Sequence, residues 1–448
     1  MRTVAEGKRH VKRLLGKQRI TNTKYRMMKY VLRAECDDGV LLHNCITGQL
    51  VLLSADESEL LSSSLFEINN EFLKTLVEDY YLVPTRYNEK QLVDQLRKLI
   101  KRLFIPKGIN SYTILTTTNC NARCFYCYQN GYQHTNMSEE TARKLIDYMI
   151  SNKSDDELRL HWFGGEPLMG VARIDQICSL LRLNGIRYTS TMISNGYLIS
   201  DEIADKAVNT WNLKRIQITL DGTEEIYNKT KAYVYTQESP YKRVKKNIQK
   251  MIDRGVHVSV RMNLDQHNAD DLINLADDLI NTVGKSQFLS AYSRVLFENE
   301  GSKPIARNED ITKALFNKQI EINSYLEQLG LTKRSYHLPA VETHHCIADS
   351  DDSVVVFPDG KLFRCEHTQM GDEYGCLDQD IIDEENFNKY RQTVEPLFCH
   401  DCALYPKCIL LKECNGKGIE KRRKLCQYEN ESIKRSMVEY WIHNSVFK

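Results

Sequence analysis

Hydrophobic and polar positions change rhythm along the chain. Residues 29–34, 40–44 and 49–53 are short apolar runs that read as strands, with Asp37-Asp38-Gly39 and Thr47-Gly48 as turns between them. The basic stretch 1–24 before them reads as an arm or short helix with a solvated face. Between 55 and 104 apolar residues recur at helical spacing, as at Leu92, Leu96, Leu99, Ile100 and Leu103. This predicts a small domain of three strands and helices ending near residue 105, where Pro106 and Gly108 break the pattern.

From 106 onward strands and helices alternate. Residues 112–117, 158–163, 188–194, 215–220, 256–262 and 290–295 read as strands. Ser138, Ser200 and Asn268 read as caps of intervening helices, and acidic residues follow the first two, where the helix dipole favours them. Repeated strand–helix units imply an α/β fold with a parallel sheet and right-handed crossovers. A helical segment at 310–329 follows. The expected domains are 1–105, 106–335 and 336–448.

Composition narrows the picture. The formal charge of +1 over 448 residues gives no general attraction to nucleic acid or an anionic membrane. No apolar stretch is long enough to span a bilayer. Arg2, Lys8, Arg9 and Lys12 are followed by polar sequence rather than a signal-peptide core, so a cytoplasmic location is expected. Of fourteen cysteines, eight fall in the last quarter. In a reducing compartment such clusters point to metal or redox chemistry.

The densest motif is Cys120-Asn121-Ala122-Arg123-Cys124-Phe125-Tyr126-Cys127, directly after the first strand of the alternating region. Three thiolates can hold three irons of a cubane and leave the fourth iron without a protein ligand. The alternatives are a zinc loop, which usually wants four ligands in paired hooks, or buried free cysteines. The spacing C-x3-C-x2-C, with Tyr126 before the last cysteine, resembles the radical S-adenosylmethionine (SAM) family. That family folds as a partial (β/α)6 barrel, with functional loops at the carboxyl ends of the strands. The motifs here do follow strand ends. Gly164-Gly165-Glu166-Pro167 resembles the run that binds the SAM amino group. Ser194-Asn195-Gly196 resembles the ribose-binding turn. Thr219 and Asp221 end the fourth strand, where the resemblance puts groups facing the methionine carboxylate. Arg261 ends the fifth and is suited to pairing with that carboxylate. For each of these, a turn or surface ion pair with no ligand is the alternative.

The tail extends the resemblance. Cys346 and Cys365 flank a strand and the turn Pro358-Asp359-Gly360, and Cys399, Cys402, Cys408, Cys414 and Cys426 follow. The set resembles the SPASM extension, which implies two auxiliary clusters and therefore three 4Fe–4S clusters in all. By that resemblance Cys399, Cys402, Cys408 and Cys426 serve the distal cluster, and Cys346, Cys365 and Cys414 the proximal one. The interval from Cys408 to Cys414 is longer than the usual pattern. Ala340 stands where fully ligated relatives have a cysteine. The fourth position is then filled by Cys376 or left open for a substrate thiolate. Structural zinc is the alternative for the whole tail. Glu366, next to Cys365, resembles the acidic residue that takes a substrate proton in sulfatase-maturing relatives; a surface glutamate is the alternative. His344, His345, His367 and His400 read as neighbours of the cysteines rather than ligands.

The N-terminal strands and helices resemble a winged-helix leader-recognition (RRE) domain, which takes up a peptide as an added strand. Together the three parts resemble maturases of ribosomally made peptides. The implied reaction is oxidative thioether or carbon–carbon crosslinking of a precursor peptide bound through its leader, with flavodoxin or ferredoxin as reductant. The second enzyme reading is formylglycine-type oxidation of a protein side chain. A third is an electron carrier or zinc-bound module, in which the GGEP run and ribose turn have no purpose.

Overall fold

The computed structural model describes residues 1–446 apart from 155–156, 235–237, 297–308, 334–335, 345, 369–370, 380, 382 and 410–418. The chain forms two compact units, Met1–Ile105 with Ser335–Ser350 and Tyr390–Lys448, and Pro106–Arg334 with Asp351–Lys389. The boundary after Ile105 lies where the rhythm changes. The tail from 336 onward is divided between the two units.

In the first unit β1 (Arg2–Glu6), β3 (Val31–Cys36), β4 (Gly39–Asn44) and β5 (Gln49–Leu53) form an antiparallel sheet in the order β1-β5-β4-β3. A short pair, β2 (Tyr25–Met27) and β6 (Leu82–Pro84), stands beside it. The helices are α1 (Arg9–Leu15), α2 (Ala55–Glu59), α3 (Glu71–Glu78), α4 (Glu89–Leu103) and the C-terminal α13 (Ile419–Val446). β4 and β5 read as unbroken apolar runs because both faces are covered. Leu41 and Leu50 pack with Val93, Leu96 and Ile100 of α4 and with Ile433 and Met437 of α13. Leu42 and Val51 pack on the other face with Leu73 and Leu76 of α3. The basic N-terminus is not only an arm or helix: β1 pairs with β5 at the sheet edge. Its residues RTVAE carry two charges and little apolar surface, so its signal is weak.

In the second unit six parallel strands lie side by side in chain order. They are β7 (Ser111–Leu115), β8 (Leu158–Phe163), β9 (Tyr188–Ser194), β10 (Leu213–Thr219), β11 (His257–Leu264) and β12 (Leu289–Val295). Between them run α5 (Glu139–Asn152), α6 (Val171–Leu183), α7 (Asp201–Asn209), α8 (Glu224–Lys231), α9 (Pro240–Asp253) and α10 (Asp271–Val283), and α11 (Glu309–Gln328) follows β12. Beyond β7 the sheet continues with β13 (Ser353–Val356), parallel to β7, and then antiparallel β14 (Lys361–Phe363) and β15 (Gly375–Cys376). A short helix α12 (Glu384–Lys389) ends this unit. Ile114, Leu160, Met192, Ile218 and Val260 belong to one continuous core under the helices.

Ser138 and Ser200 cap α5 and α7 by accepting the amides of Thr141 and Ile203. Asn268 does not cap α10, which starts at Asp271. Its amide instead donates to the carbonyls of Asp221 (2.8 Å) and Asn263 (2.7 Å) and accepts the Asp265 N–H. A buried asparagine with both ends engaged braces the β10 and β11 ends, a use its sequence position does not reveal.

Candidate active site

The strand-end loops of the second unit converge on the three-cysteine loop. This loop leaves β7 and is folded by its own amides: the Cys127 N–H donates to the Cys124 carbonyl and the Asn130 N–H to that of Cys127. Cys120, Cys124 and Cys127 are half-buried and in no disulfide. Burial pushes the Cys120 thiol up to about 12 and raises the other two, with Lys231 working the other way at Cys124. Thiols so placed need a bound cation to become thiolates. Among the described residues no three His, Cys, Asp or Glu side chains converge on a single-ion site. A cubane asks for a different arrangement, since each thiolate takes a separate iron. Asn121, 1 % exposed, has an amide Nδ2 without a partner, a buried donor beside the cysteines. The donor set and this orphaned amide fit an iron–sulfur cluster with a polar ligand.

The GGEP loop follows β8 and packs on the cysteine loop. The Gly165 N–H donates to the Thr117 carbonyl (3.1 Å), and the Glu166 N–H to that of Asn119 (2.8 Å). A Cβ on Gly164 would lie 2.2 Å from the Thr117 oxygen, and one on Gly165 equally close to that of Asn119. The two glycines therefore serve the approach of one loop to the other. Glu166 is fully buried. One carboxylate oxygen accepts the Ser194 hydroxyl (2.8 Å) and the Leu168 N–H, the other the Asn195 N–H (2.8 Å). Burial still raises its pKa to about 7, with those bonds pulling the other way. Here the carboxylate locks the β8 loop to the Ser194-Asn195-Gly196 turn after β9. Asn195 in turn donates through Nδ2 to Asn121 Oδ1 (2.7 Å).

After β10, Asp221 is 1 % exposed and already engaged. It accepts the Tyr126 hydroxyl (2.6 Å), pairs with Lys231 (3.0 Å) and receives the Asn263 N–H. Its carboxylate anchors the cysteine loop rather than facing an open site. Thr219 sits in register with Arg261 across β10 and β11. Arg261 donates from Nε to Asn263 Oδ1 (2.7 Å), and among the described residues no carboxylate pairs with its guanidinium.

The β14 side completes this end of the sheet. Cys365 and Glu366 follow β14, and the His367 ring lies over Tyr128 of the cysteine loop, 4.1 Å between centroids. Tyr132 donates to the Thr368 carbonyl. One Glu366 oxygen is buried without a partner, and burial raises that carboxyl's pKa. Burial, with Arg294 and Arg261 nearby, lowers His367 to about 4. The sequence did not single out Lys231, Asn121 or Tyr128. For Lys231 one signal exists: it lies four residues after Tyr227 on α8, and these two form that helix's buried face.

In the first unit, Cys399, Cys402 and Cys408 lie on a loop held by α4. Arg97 donates to the carbonyls of Glu342, Tyr405, Pro406 and Cys408 at 2.7–3.2 Å. Tyr30 donates to the His400 carbonyl. Cys45, fully buried, is within electrostatic reach of Cys402. Cys426 is on α13, and the Cys346 N–H donates to Asp349. Cys376 pairs with Lys361 in the β14–β15 ladder. Cys414 and His345 lie outside the described residues.

Residues 114–279 match the model of the Radical SAM superfamily. The chain carries a radical SAM domain. Across 86% of its length it superimposes on 95% of Streptococcus suis SuiB, solved with the precursor peptide SuiA and also with S-adenosylmethionine, at TM-scores of 0.52 and identities of 14% and 15%. This likeness is one of fold. The chain is also similar to a GTP 3′,8-cyclase of Rhodopirellula baltica, 31% identical over 125 residues, which is 26% of this chain and 32% of that one. The radical SAM cyclopropyl synthase TigE of Paramaledivibacter caminithermalis is 23% identical over 206 residues, 40% of this chain and 43% of that one. The chain spans well under two thirds of the length of the curated relatives it matches, 40% and 32% for the first two. Among the described residues no helix is long and apolar enough to cross a membrane.

Proposed function

We propose that this protein cleaves S-adenosylmethionine reductively and uses the 5′-deoxyadenosyl radical to crosslink a ribosomally made precursor peptide, through a thioether or a carbon–carbon bond. The observation that carries the reading is the three-thiol loop at the carboxyl end of β7, with the Gly164-Gly165-Glu166 loop bonded directly to it. Cys120, Cys124 and Cys127 would hold a 4Fe–4S cluster, which would supply the electron for SAM cleavage. Asn121 and Asn195 present polar groups beside it, and Arg261 offers a guanidinium for the methionine carboxylate, with Thr219 adjacent. Glu166 and Asp221 hold the loops around them.

In the crosslinking step the peptide loses two hydrogens. One goes as an atom to the 5′-deoxyadenosyl radical, giving 5′-deoxyadenosine. The other leaves as a proton, which Glu366 accepts: its raised pKa and unpaired oxygen suit a base beside a peptide. The tail cysteines would hold two auxiliary iron–sulfur clusters, whose chemistry would suit them to accept the remaining electron. The N-terminal sheet takes the leader as an added strand, and flavodoxin or ferredoxin supplies the reducing electron in the cytoplasm. The peptide assignment draws support from SuiB, solved with a precursor peptide.

The test is anaerobic incubation of reconstituted protein with SAM, reductant and a candidate precursor peptide, chosen as the product of a short Cys-rich reading frame found beside the gene. The reading requires 5′-deoxyadenosine together with peptide lighter by two hydrogens. Deoxyadenosine with unaltered peptide would refute the substrate assignment alone.

A further inference from the structure

The segment after α8 straps the cysteine loop from outside. The Arg123 N–H donates to the Lys231 carbonyl (2.8 Å), and the Val234 N–H donates to that of Asn121 (2.9 Å). The Lys231 carbonyl also lies 4.0 Å from Cys124 Sγ. Ala232, in the left-handed region at φ 44°, ends the helix and turns the chain along the loop.

Lys231 adds a second tie through its side chain. It is only 3 % exposed, yet carries an ammonium. A buried cation is costly unless paired and hydrogen-bonded. Its Nζ lies 3.0 Å from Asp221 and donates to the Tyr126 hydroxyl at 2.6 Å. Tyr126 passes its own proton donation to Asp221. The three side chains come from α8, the cysteine loop and the β10 end, so one ion pair fastens three segments. The same face of the strap reaches the β9 turn: Tyr227 and Tyr233 share a hydroxyl contact of 2.9 Å, and Tyr233 donates to the Asn195 carbonyl.

We propose that Lys231 is the positioning residue of the cysteine loop, its ammonium and its carbonyl together fixing Tyr126, Arg123 and Cys124 so that the loop retains its cluster. This rests on the reading of Cys120, Cys124 and Cys127 as cluster ligands. Lysine contacts no iron; it acts through Tyr126 and the loop backbone.

The experiment compares the full-length protein with Lys231→Arg, Lys231→Met and the double variant Lys231→Met with Asp221→Asn, in which no buried charge is stranded. Iron released to a chelator from the SAM-responsive cluster is followed by its electron paramagnetic resonance signal. Lys231→Met and the double variant should release it about 10-fold faster or more, the scale seen when groups supporting metal ligands are removed. Lys231→Arg should stay near the wild type. Hydrogen exchange on the metal-free proteins is the second readout. Residues 120–127 should exchange faster in the Lys231→Met chains, with β7–β12 still protected. A double variant with wild-type iron retention, or with unchanged exchange in 120–127, overturns the inference. A wild-type protein that binds no cluster at this loop refutes the underlying reading instead.

Discussion

Gly165→Ala is the sharpest test of how the site is assembled. The added Cβ would meet the Asn119 oxygen at 2.2 Å, the Asn119 carbon at 2.5 Å and the Thr118 oxygen at 2.6 Å, all backbone atoms that cannot swing aside. Ordinary contact begins near 3.4 Å, so the cysteine loop must retreat by about 1.2 Å at the residue before Cys120. Overpacking of this kind costs about 1–3 kcal/mol. The Glu166 N–H bond to the Asn119 carbonyl would be lost as well, adding about 1 kcal/mol. The expected sum is about 2–4 kcal/mol of stability in the metal-free protein, read by urea unfolding. Iron bound per chain after reconstitution should fall with it. The control is Gly185→Ala, where the backbone, unlike that of Gly165, is left-handed (φ 67°) but nothing lies within 4 Å of the new Cβ. That change should cost only about 1–2 kcal/mol of backbone strain and leave iron binding alone. If Gly165→Ala is no worse than Gly185→Ala and loads iron normally, the close approach of the two loops is not what the glycines serve.

Three further outcomes are expected. Burial raises Glu166 to about 7, so the folded state favours its protonated form. The stability it contributes is complete below pH 4.5 and lost as pH rises through 7; relative to Glu166→Gln, the metal-free wild type should lose roughly 3 kcal/mol over that window, and a flat difference in urea titrations would refute it. Arg97→Met removes the donor shared by four carbonyls. It should destabilise the 399–408 loop by about 1–3 kcal/mol and deplete iron held by the tail cysteines, with the signal from the 120–127 loop retained in Mössbauer spectra; full tail loading would contradict this. Glu366→Gln should leave SAM cleavage near wild type and lower crosslinked peptide by about 100-fold in mass spectrometry, whereas undiminished product would remove Glu366 from the reaction.

The parallel sheet was legible because its strands alternate with helices and bury every other residue; 158–163 and 188–194 coincide with β8 and β9, whose buried positions alternate. The strand-end motifs were legible because glycine and cysteine leave distinct marks. What the side chains do there was harder to read. Glu166 and Asp221 look like ligand-facing acids in sequence, yet their partners are Ser194, Asn195, Tyr126 and Lys231. Lys231 sits in the polar run Asn228-Lys229-Thr230-Lys231 and resembles a surface charge. Only the approach of Asp221 from another strand end, ten residues earlier, explains its burial. β1 was missed for the opposite reason: a half-exposed edge strand needs little apolar surface, and its pairing partner β5 is remote in sequence. Asn268 was misread because a cap and a brace between loops use the same side chain.

Activation of SAM by the loop at Cys120, Cys124 and Cys127 is the property on which the proposed function depends. The direct measurement is anaerobic reconstitution with iron and sulfide, followed by SAM and dithionite, with the nucleoside products separated by chromatography. The wild-type protein should form 5′-deoxyadenosine and methionine, and Cys124→Ala should form neither. A wild-type protein that leaves SAM intact, or a Cys124→Ala variant that cleaves it equally well, would contradict the central claim.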